Sequence, residues 1–102
     1  MDPERLSDIQ IADVVIATAG REKGKLFYVL DMDEQYLNLG NGKDRTLEQP
    51  KRKKRRHVDK VLRSETRVAE KLRTGDKVLN SELRRDLAYI SQQLQSNNLG
   101  GF

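Results

Sequence analysis

The fold of this chain is decided by the stretch VVIATAGREKGKLFYVL, residues 14–30. Both ends of the stretch are rich in β-branched and aromatic residues, which favour strands. Between them lies the charged segment Arg21–Lys25, in which Gly24 is free to adopt a positive φ angle. The stretch therefore predicts a strand from Val14 to about Gly20, a turn, and a second strand at 26–30.

Further strands are expected downstream of this hairpin. Residues 36–39 (YLNL) favour a third strand. The pair Asn41-Gly42 is the commonest signal for a tight hairpin turn, and it predicts a fourth strand at about 44–47. Pro50 then interrupts the chain, and a fifth strand is predicted at about 53–60. A helical alternative stays open there, because three apolar residues also share one helical face: Val58, Val61 and Leu62.

After residue 63 the spacing of apolar residues becomes helical. Ser64 is placed to cap a first helix, and Gly75 is placed to end it. A second helix is expected to begin near Asn80 or Ser81. Its apolar stripe has spacings of four, three and four residues and consists of Leu83, Leu87, Ile90 and Leu94. Strands followed by helices predict an α+β fold that begins with a small barrel or curled sheet.

The composition limits the classes of function. With 102 residues, 35% hydrophobic and 35% charged, the chain fits one domain with a small core. It has no cysteine and one histidine, which excludes a disulfide framework and a thiolate zinc site, so no metal or cofactor is expected. Residues 1–4 (MDPE) do not resemble a signal peptide, and no run approaches the ~18 apolar residues of a membrane span. We expect a cytoplasmic protein without a membrane partner.

The charge is concentrated in one place, the run Lys51–Arg56 (KRKKRR). This run holds six of the 20 basic residues, and the rest of the chain is nearly balanced against 16 acidic residues. Such a stripe is typical of a local site for a polyanion, where phosphates release counterions on binding. In a strand its side chains would alternate between two faces. A solvated or localisation-type segment, and binding to acidic proteins or membrane surfaces, remain alternatives.

The stretch at residues 14–30 resembles a KOW motif, in which a Gly-containing basic loop joins two hydrophobic strands. Such motifs occur in ribosomal proteins and in NusG-type transcription factors. The continuation through Asn41-Gly42-Lys43 to the basic stretch ending at His57 is similar to small bacterial KOW-domain RNA-binding proteins. Those proteins resemble a class of large-subunit ribosomal proteins of eukaryotes and archaea. The resemblance covers about residues 12–60 and implies an SH3-like β-barrel of KOW type that binds RNA, with ribosomal RNA or the ribosome as the expected partner.

Together these observations predict an N-terminal arm (1–11), a KOW-type SH3-like barrel with a basic strand (12–62), a helical extension (63–95) and a flexible tail (96–102). The helical extension departs from a minimal KOW unit, so permanent membership of the ribosome stays open. No pairing of nucleophile and base is visible, and we expect no enzyme. The predicted RNA-binding residues are Arg21, Lys23, Gly24, Lys25, Lys43, Lys51, Arg52, Lys53, Lys54, Arg55, Arg56 and His57.

Two further groups of residues could contact a partner. Three aromatic residues in predicted strands are able to stack on unpaired bases, although at least two of them are expected in the core: Phe27, Tyr28 and Tyr36. The apolar stripe of the second helix is expected to pack within the chain, but it also fits a docking face for a protein. A protein-interaction adaptor, in which the basic run only steers association, is therefore the alternative function.

Overall fold

The computed structural model describes residues 8–100, with side chains for residues 8–96. Its architecture is α+β: a five-stranded antiparallel sheet followed by two helices. The strands are β1 (Asp13–Ala17), β2 (Leu26–Met32), β3 (Tyr36–Gly40), β4 (Lys51–Lys54) and β5 (Val58–Arg63), and the helices are α1 (Arg67–Thr74) and α2 (Asn80–Gly100). A single 3-10 turn, Arg55–His57, separates β4 from β5.

The sheet has the strand order β4-β3-β2-β1-β5, and no ladder joins its edge strands β4 and β5 to each other. These two edges are nevertheless consecutive in the chain, because only the 3-10 turn lies between them. The backbone fixes that turn on both sides. Thr18 N donates to His57 O at 2.8 Å, and Arg55 N donates to Gln35 O at 2.9 Å. The turn therefore contacts the end of β1 and the β2–β3 turn.

Alternation along the strands sends apolar side chains to both faces of the sheet. One face carries the first core, which contains no helical residue although its side chains are fully or almost fully buried: Ile9, Val15, Ala17, Phe27, Val29, Leu37, Leu39 and Val58. The opposite face carries the second core, in which Val14 and Tyr28 pack against α1 and α2. Within residues 8–100, the helices cover only this second face.

Helix α1 begins and ends for identifiable reasons, and α2 is positioned by its apolar stripe. In α1 the hydroxyl of Thr66 accepts a hydrogen bond from Ala69 N, and Gly75, with φ of 80°, ends the helix. The predicted stripe of α2 packs onto the second core, with Leu83, Leu87 and Ile90 buried and Leu94 partly buried. Among residues 8–100, no helix combines the length and the apolar character needed to cross a bilayer.

The fourth strand predicted at 44–47 is wrong. Those residues form bends, and the next strand is β4, at Lys51–Lys54. Asn41 N and Gly42 N both donate to Arg45 O, which closes a loop instead of a hairpin. The reason lies in α2, because the side chain of Asn80 accepts a hydrogen bond from Leu47 N at 2.8 Å and so occupies a backbone group that a strand would need.

The single strand predicted at 53–60 is also wrong, because the 3-10 turn divides it into the end of β4 and the start of β5. The helical alternative for residues 58–62 is wrong, since they lie in β5. Ser64 does not cap α1: its buried hydroxyl contacts the hydroxyl of Tyr28 at 2.8 Å, and Thr66 is the cap.

The predicted terminal segments are described only in part. Residues 1–7 of the predicted arm lie outside the described residues, whereas Ile9 is buried in the first core. Helix α2 runs on to Gly100, so it includes residues that the composition assigned to a tail, and 101–102 are outside the described part.

Candidate nucleic-acid interface

The β1–β2 loop (residues 18–25) and the basic run meet in space. Lys53 Nζ donates to Ala19 O at 2.6 Å, and Thr18 N donates to His57 O at 2.8 Å. We call residues 18–25 together with 51–57 the basic surface. These two segments contain nine lysines and arginines and a single carboxylate, Glu22. The two basic segments singled out from the sequence thus form one continuous surface.

Glu22 of the β1–β2 loop is buried against the basic run and neutralises part of it. Its carboxylate is 2.9 Å from Arg45 Nη2, 3.9 Å from Lys53 Nζ and 4.0 Å from Lys51 Nζ. The hydrogen bond from Arg45, and then the positive charges of all three side chains, lower the pKa of Glu22. Two cations of the run are therefore partly neutralised within the protein.

The alternation of β4 decides which side chains point inward. Lys51 is opposite Leu39 and Lys53 is opposite Leu37, and both leucines belong to the first core. The side chain of Lys53 is only 7% exposed, and Ala19 O and Glu22 satisfy its ammonium group. Lys53 is thus a structural residue at the rim of the first core.

The other side of β4 is tied to the β2–β3 turn. The guanidinium carbon of Arg52 lies 4.2 Å from the centre of the Tyr36 ring, and its Nη2 is 3.2 Å from Asp33 Oδ2. Arg55 Nε donates to Asp33 O at 3.1 Å. The pKa of Asp33 is lowered chiefly because its carboxylate accepts hydrogen bonds from the backbone N–H groups of Tyr36 and Gln35.

The remaining predicted residues are more exposed. Arg21, Lys23 and Arg56 are exposed to solvent, Lys54 and His57 are half-buried, and Gly24 has φ of +89° with open space around it. Lys43 is exposed in the β3–β4 loop. Lys25 Nζ is exposed but lies 2.6 Å from Asp44 Oδ2, and this hydrogen bond is the main cause that lowers the pKa of Asp44 to about 2.

Sequence reasoning missed the anions that organise this surface, Glu22 and Asp33, and it missed Arg45, which pairs with Glu22. A signal for Glu22 existed. If residues 51–54 form an edge strand with one face inward, alternate lysines need an anion, and Glu22 is the acidic residue within the basic loop. The aromatic residues divide as expected, because Phe27 and Tyr28 are fully buried while Tyr36 is half-buried.

No group of three or more histidine, cysteine or acidic side chains within residues 8–100 is arranged to hold a metal ion. Comparison with known proteins finds no family model that matches the chain and no curated protein with significant similarity to it. The resemblance to KOW-domain proteins therefore stays a prediction.

Proposed function

We propose that this protein binds RNA, with ribosomal RNA or a ribosome-associated RNA as the first candidate. The observation that carries the proposal is the junction of the two basic segments, through the contacts of Lys53 with Ala19 and of Thr18 with His57. Phosphates on this surface would meet exposed cations from both segments, and the counterions they release favour binding. The mechanism needs no catalysis and no cofactor, and we place it in the cytoplasm.

The fold gives the proposal a second support. The sheet edges β4 and β5 are joined by one 3-10 turn, and no helix within the described residues covers the first core, although its side chains are buried. When one face of a sheet is shielded from solvent and no helix covers it, the sheet itself has to curl around that face. We therefore also propose that the sheet is a partly open SH3-like barrel of KOW type. In such an arrangement Gly24 lies at the tip of the β1–β2 loop, where a backbone without a side chain can approach a phosphate closely.

The test uses the exposed cations and leaves the structural ones in place. Replacing all of residues 51–56 would remove Lys53 from its contacts with Glu22 and Ala19 and disturb the fold. We instead change Arg21, Lys23 and Arg56 to glutamine together. Affinity for RNA is measured by fluorescence anisotropy at salt concentrations from roughly 50 to 200 mM. Each lost phosphate contact reduces the steepness of the plot of log affinity against log salt by about 0.7 to 0.9, so the slope of the triple variant is expected to be shallower by about 2 to 3.

The matched control changes three exposed cations on and near the helices, Arg67, Lys77 and Arg85, to glutamine. Both triple variants have the same net charge, so a general charge effect lowers affinity equally in both. The proposal requires a larger loss of affinity and slope in the basic-surface variant. Equal losses in the two variants, or no RNA binding by the native protein, would overturn it.

The alternative function, a protein-interaction adaptor, would use the apolar stripe of α2. That stripe packs against the sheet and α1, so its face is already occupied within the chain. We therefore favour RNA. Capture of one defined protein that survives nuclease treatment, together with no loss of binding in the triple variant, would support the adaptor instead.

A further inference from the structure

Three polar side chains form a row across the outer strands of the sheet. In the strand register Asp31 of β2 is opposite Asn38 of β3, and Asn38 is opposite Arg52 of β4. Tyr36 precedes Asn38 by two residues, so it lies on the same face, where its neighbour on β4 is Lys54. This face is opposite to the one that carries Leu37 and Leu39 of the first core.

A small open cavity of about 120 Å³ lies over this row. Its lining includes Asp31, Asn38, Tyr36 and Arg52. Asn38 is half-buried, and its side-chain amide makes no hydrogen bond to any described residue. The amide lines the open cavity, so it is available for a ligand. An amide both donates and accepts, which suits the edge of a nucleobase.

The cavity also has a stacking platform that is already oriented. The guanidinium of Arg52 lies over the ring of Tyr36 at 4.2 Å and also forms an exposed ion pair with Asp33. Unpaired RNA bases stack on aromatic rings and on arginine guanidinium planes. The stacked arrangement of Arg52 and Tyr36 is thus present before a base binds.

The carboxylate of Asp31 determines which base fits. It is exposed, and its Oδ1 accepts a hydrogen bond from Met32 N. An ionised carboxylate has further lone pairs that accept hydrogen bonds, but it has no hydrogen to donate. Guanine offers two adjacent N–H donors on its Watson–Crick edge and a carbonyl oxygen beside them. The carboxylate would accept from those N–H groups, and the Asn38 amide would donate to the carbonyl. Uracil has no exocyclic amino group to donate.

We propose that this cavity is a subsite for one unpaired guanine of an RNA, stacked on the Tyr36–Arg52 pair and read by Asp31 and Asn38. The inference rests on the proposed RNA binding and adds base selection to it. The subsite adjoins the basic surface through Arg52 and Lys54, so the phosphates flanking the base would reach the cations of β4 and the 3-10 turn.

The test uses uridine RNAs roughly nine nucleotides long, a length that small single-strand binders cover, with one variable central base. The four RNAs carry the same charge, so differences in affinity report on the base alone. For the full-length protein we expect guanine to bind most tightly, about 5- to 100-fold better than uracil, the range of a good base contact. Fluorescence anisotropy at one salt concentration measures the ratio, and a salt series measures the phosphate contribution.

Three variants separate base reading from phosphate binding. Asn38→Ala and Arg52→Lys are expected to lower the guanine-to-uracil ratio towards one while the salt slope stays within error. Asp31→Asn keeps the acceptor for Met32 N and removes a negative charge, so it should lower the ratio while affinity for the all-uridine RNA is kept or rises. Arg85→Lys, at an exposed position of α2 outside both the cavity and the basic surface, is the control and should leave the ratio unchanged. Thermal unfolding checks that every variant is folded.

The outcomes distinguish the two proposals. Equal affinity for all four RNAs, or a preference for another base, overturns the guanine subsite while RNA binding stands. Binding to none of the RNAs, nor to a structured ribosomal RNA fragment, overturns both. A guanine preference that survives Asn38→Ala and Asp31→Asn also overturns the subsite, because the selection would then arise elsewhere.

Discussion

At Glu22 a carboxylate whose side chain is only 7% exposed lies within 4.0 Å of three cations. Charges withdrawn from water are tolerated when they are paired, and removing one partner leaves the other at a high cost. The nearly buried Lys53 depends on this pairing most directly, although Ala19 O also accepts from its ammonium. Glu22 therefore holds the β1–β2 loop against β4 and, with it, the geometry of the basic surface.

Replacing Glu22 with glutamine is expected to lower the free energy of unfolding by about 3 kcal/mol at neutral pH, because Lys53 stays buried without its anion. The difference from the native protein should shrink in acid. The pKa of Glu22 is lowered in the folded state, so its stabilisation is complete above the ordinary glutamate pKa and disappears as pH falls through the lowered pKa. Urea unfolding of both proteins between about pH 7 and pH 3 measures this difference.

The control for this prediction is Glu65→Gln. Glu65 is 81% exposed in an ion pair with Arg63, and such surface pairs contribute little to stability. We expect the Glu65 variant to unfold like the native protein at every pH. If both glutamate variants lose the same stability, or if the Glu22 difference grows in acid, the structural role assigned to Glu22 is wrong.

At the scale of elements, β1, β2 and β3 were predictable because β-branched, aromatic and apolar residues mark them locally. The strand β1 was predicted to reach about Gly20 but ends at Ala17, and β2 was predicted to end at residue 30 but continues to Met32. Alternation within the basic run was predictable too, and it holds over β4. The break at Arg55–His57 was not, since a run of lysines and arginines carries no apolar period that would indicate where a strand ends.

The β3–β4 loop and the candidate site share one reason for their unpredictability. The loop conformation is set by α2, through Asn80 and through Arg84, whose Nη1 donates to Gly42 O at 2.8 Å. In the same way, Glu22 and Asp33 determine which cations of the basic surface are held in ion pairs, and both residues are distant in sequence from the basic run. Contacts between residues 19 to 42 positions apart leave no local pattern in the sequence.

A pair of glycines tests how closely α2 approaches the β3–β4 loop. Gly42 has φ of +73°, and a Cβ added there would lie 2.2 Å from the backbone O of Asn80. Gly42→Ala is therefore expected to cost the left-handed backbone strain, about 1 to 2 kcal/mol, and about 1 to 3 kcal/mol more for displacing the helix. Gly24→Ala is the control, since Gly24 has φ of +89° but open space around it.

Urea unfolding measures the stability of both glycine variants. Hydrogen exchange of the Leu47 amide reports the helix contact, because this amide donates to the Asn80 side chain. Faster exchange at Leu47 in the Gly42 variant alone is the expected result. Equal losses of stability and equal exchange in the two variants would show that the close approach of α2 to Gly42 adds nothing to the cost of the substitution.

Across the whole molecule, one buried hydroxyl joins the sheet to both helical elements. Tyr28 of β2 is fully buried, and its hydroxyl donates to Asp86 of α2 and contacts Ser64 Oγ at 2.8 Å. Thr66, the cap of α1, donates to the same Asp86 oxygen at 2.8 Å. Burial first, and then the hydrogen bond to Asp86, raise the pKa of Tyr28 to about 12. The second core is thus held together by polar contacts as well as by apolar packing.

Removing this hydroxyl is expected to weaken the attachment of both helices at once. Tyr28→Phe should lower the free energy of unfolding by about 1 to 3 kcal/mol, because the Asp86 carboxylate loses a donor. Tyr89→Phe is the matched control, since Tyr89 is 57% exposed on the outer side of α2. Hydrogen exchange should show reduced protection in β2, α1 and α2 together for the Tyr28 variant and in none of them for the control. A loss confined to α2 would contradict the joint role of the hydroxyl.

Tyr28 also makes the stability and the tyrosine absorbance of the protein depend on pH in alkaline solution. Because the pKa of Tyr28 is raised in the folded state, its contribution to stability is complete below the ordinary tyrosine value of about 10 and is lost as pH rises towards about 12. The stability difference between the native protein and Tyr28→Phe should therefore narrow over that interval. Tyrosinate absorbance should show a late ionisation step that is absent from Tyr28→Phe and present in Tyr89→Phe. A late step that persists in Tyr28→Phe would mean that the buried hydroxyl lies elsewhere in the chain.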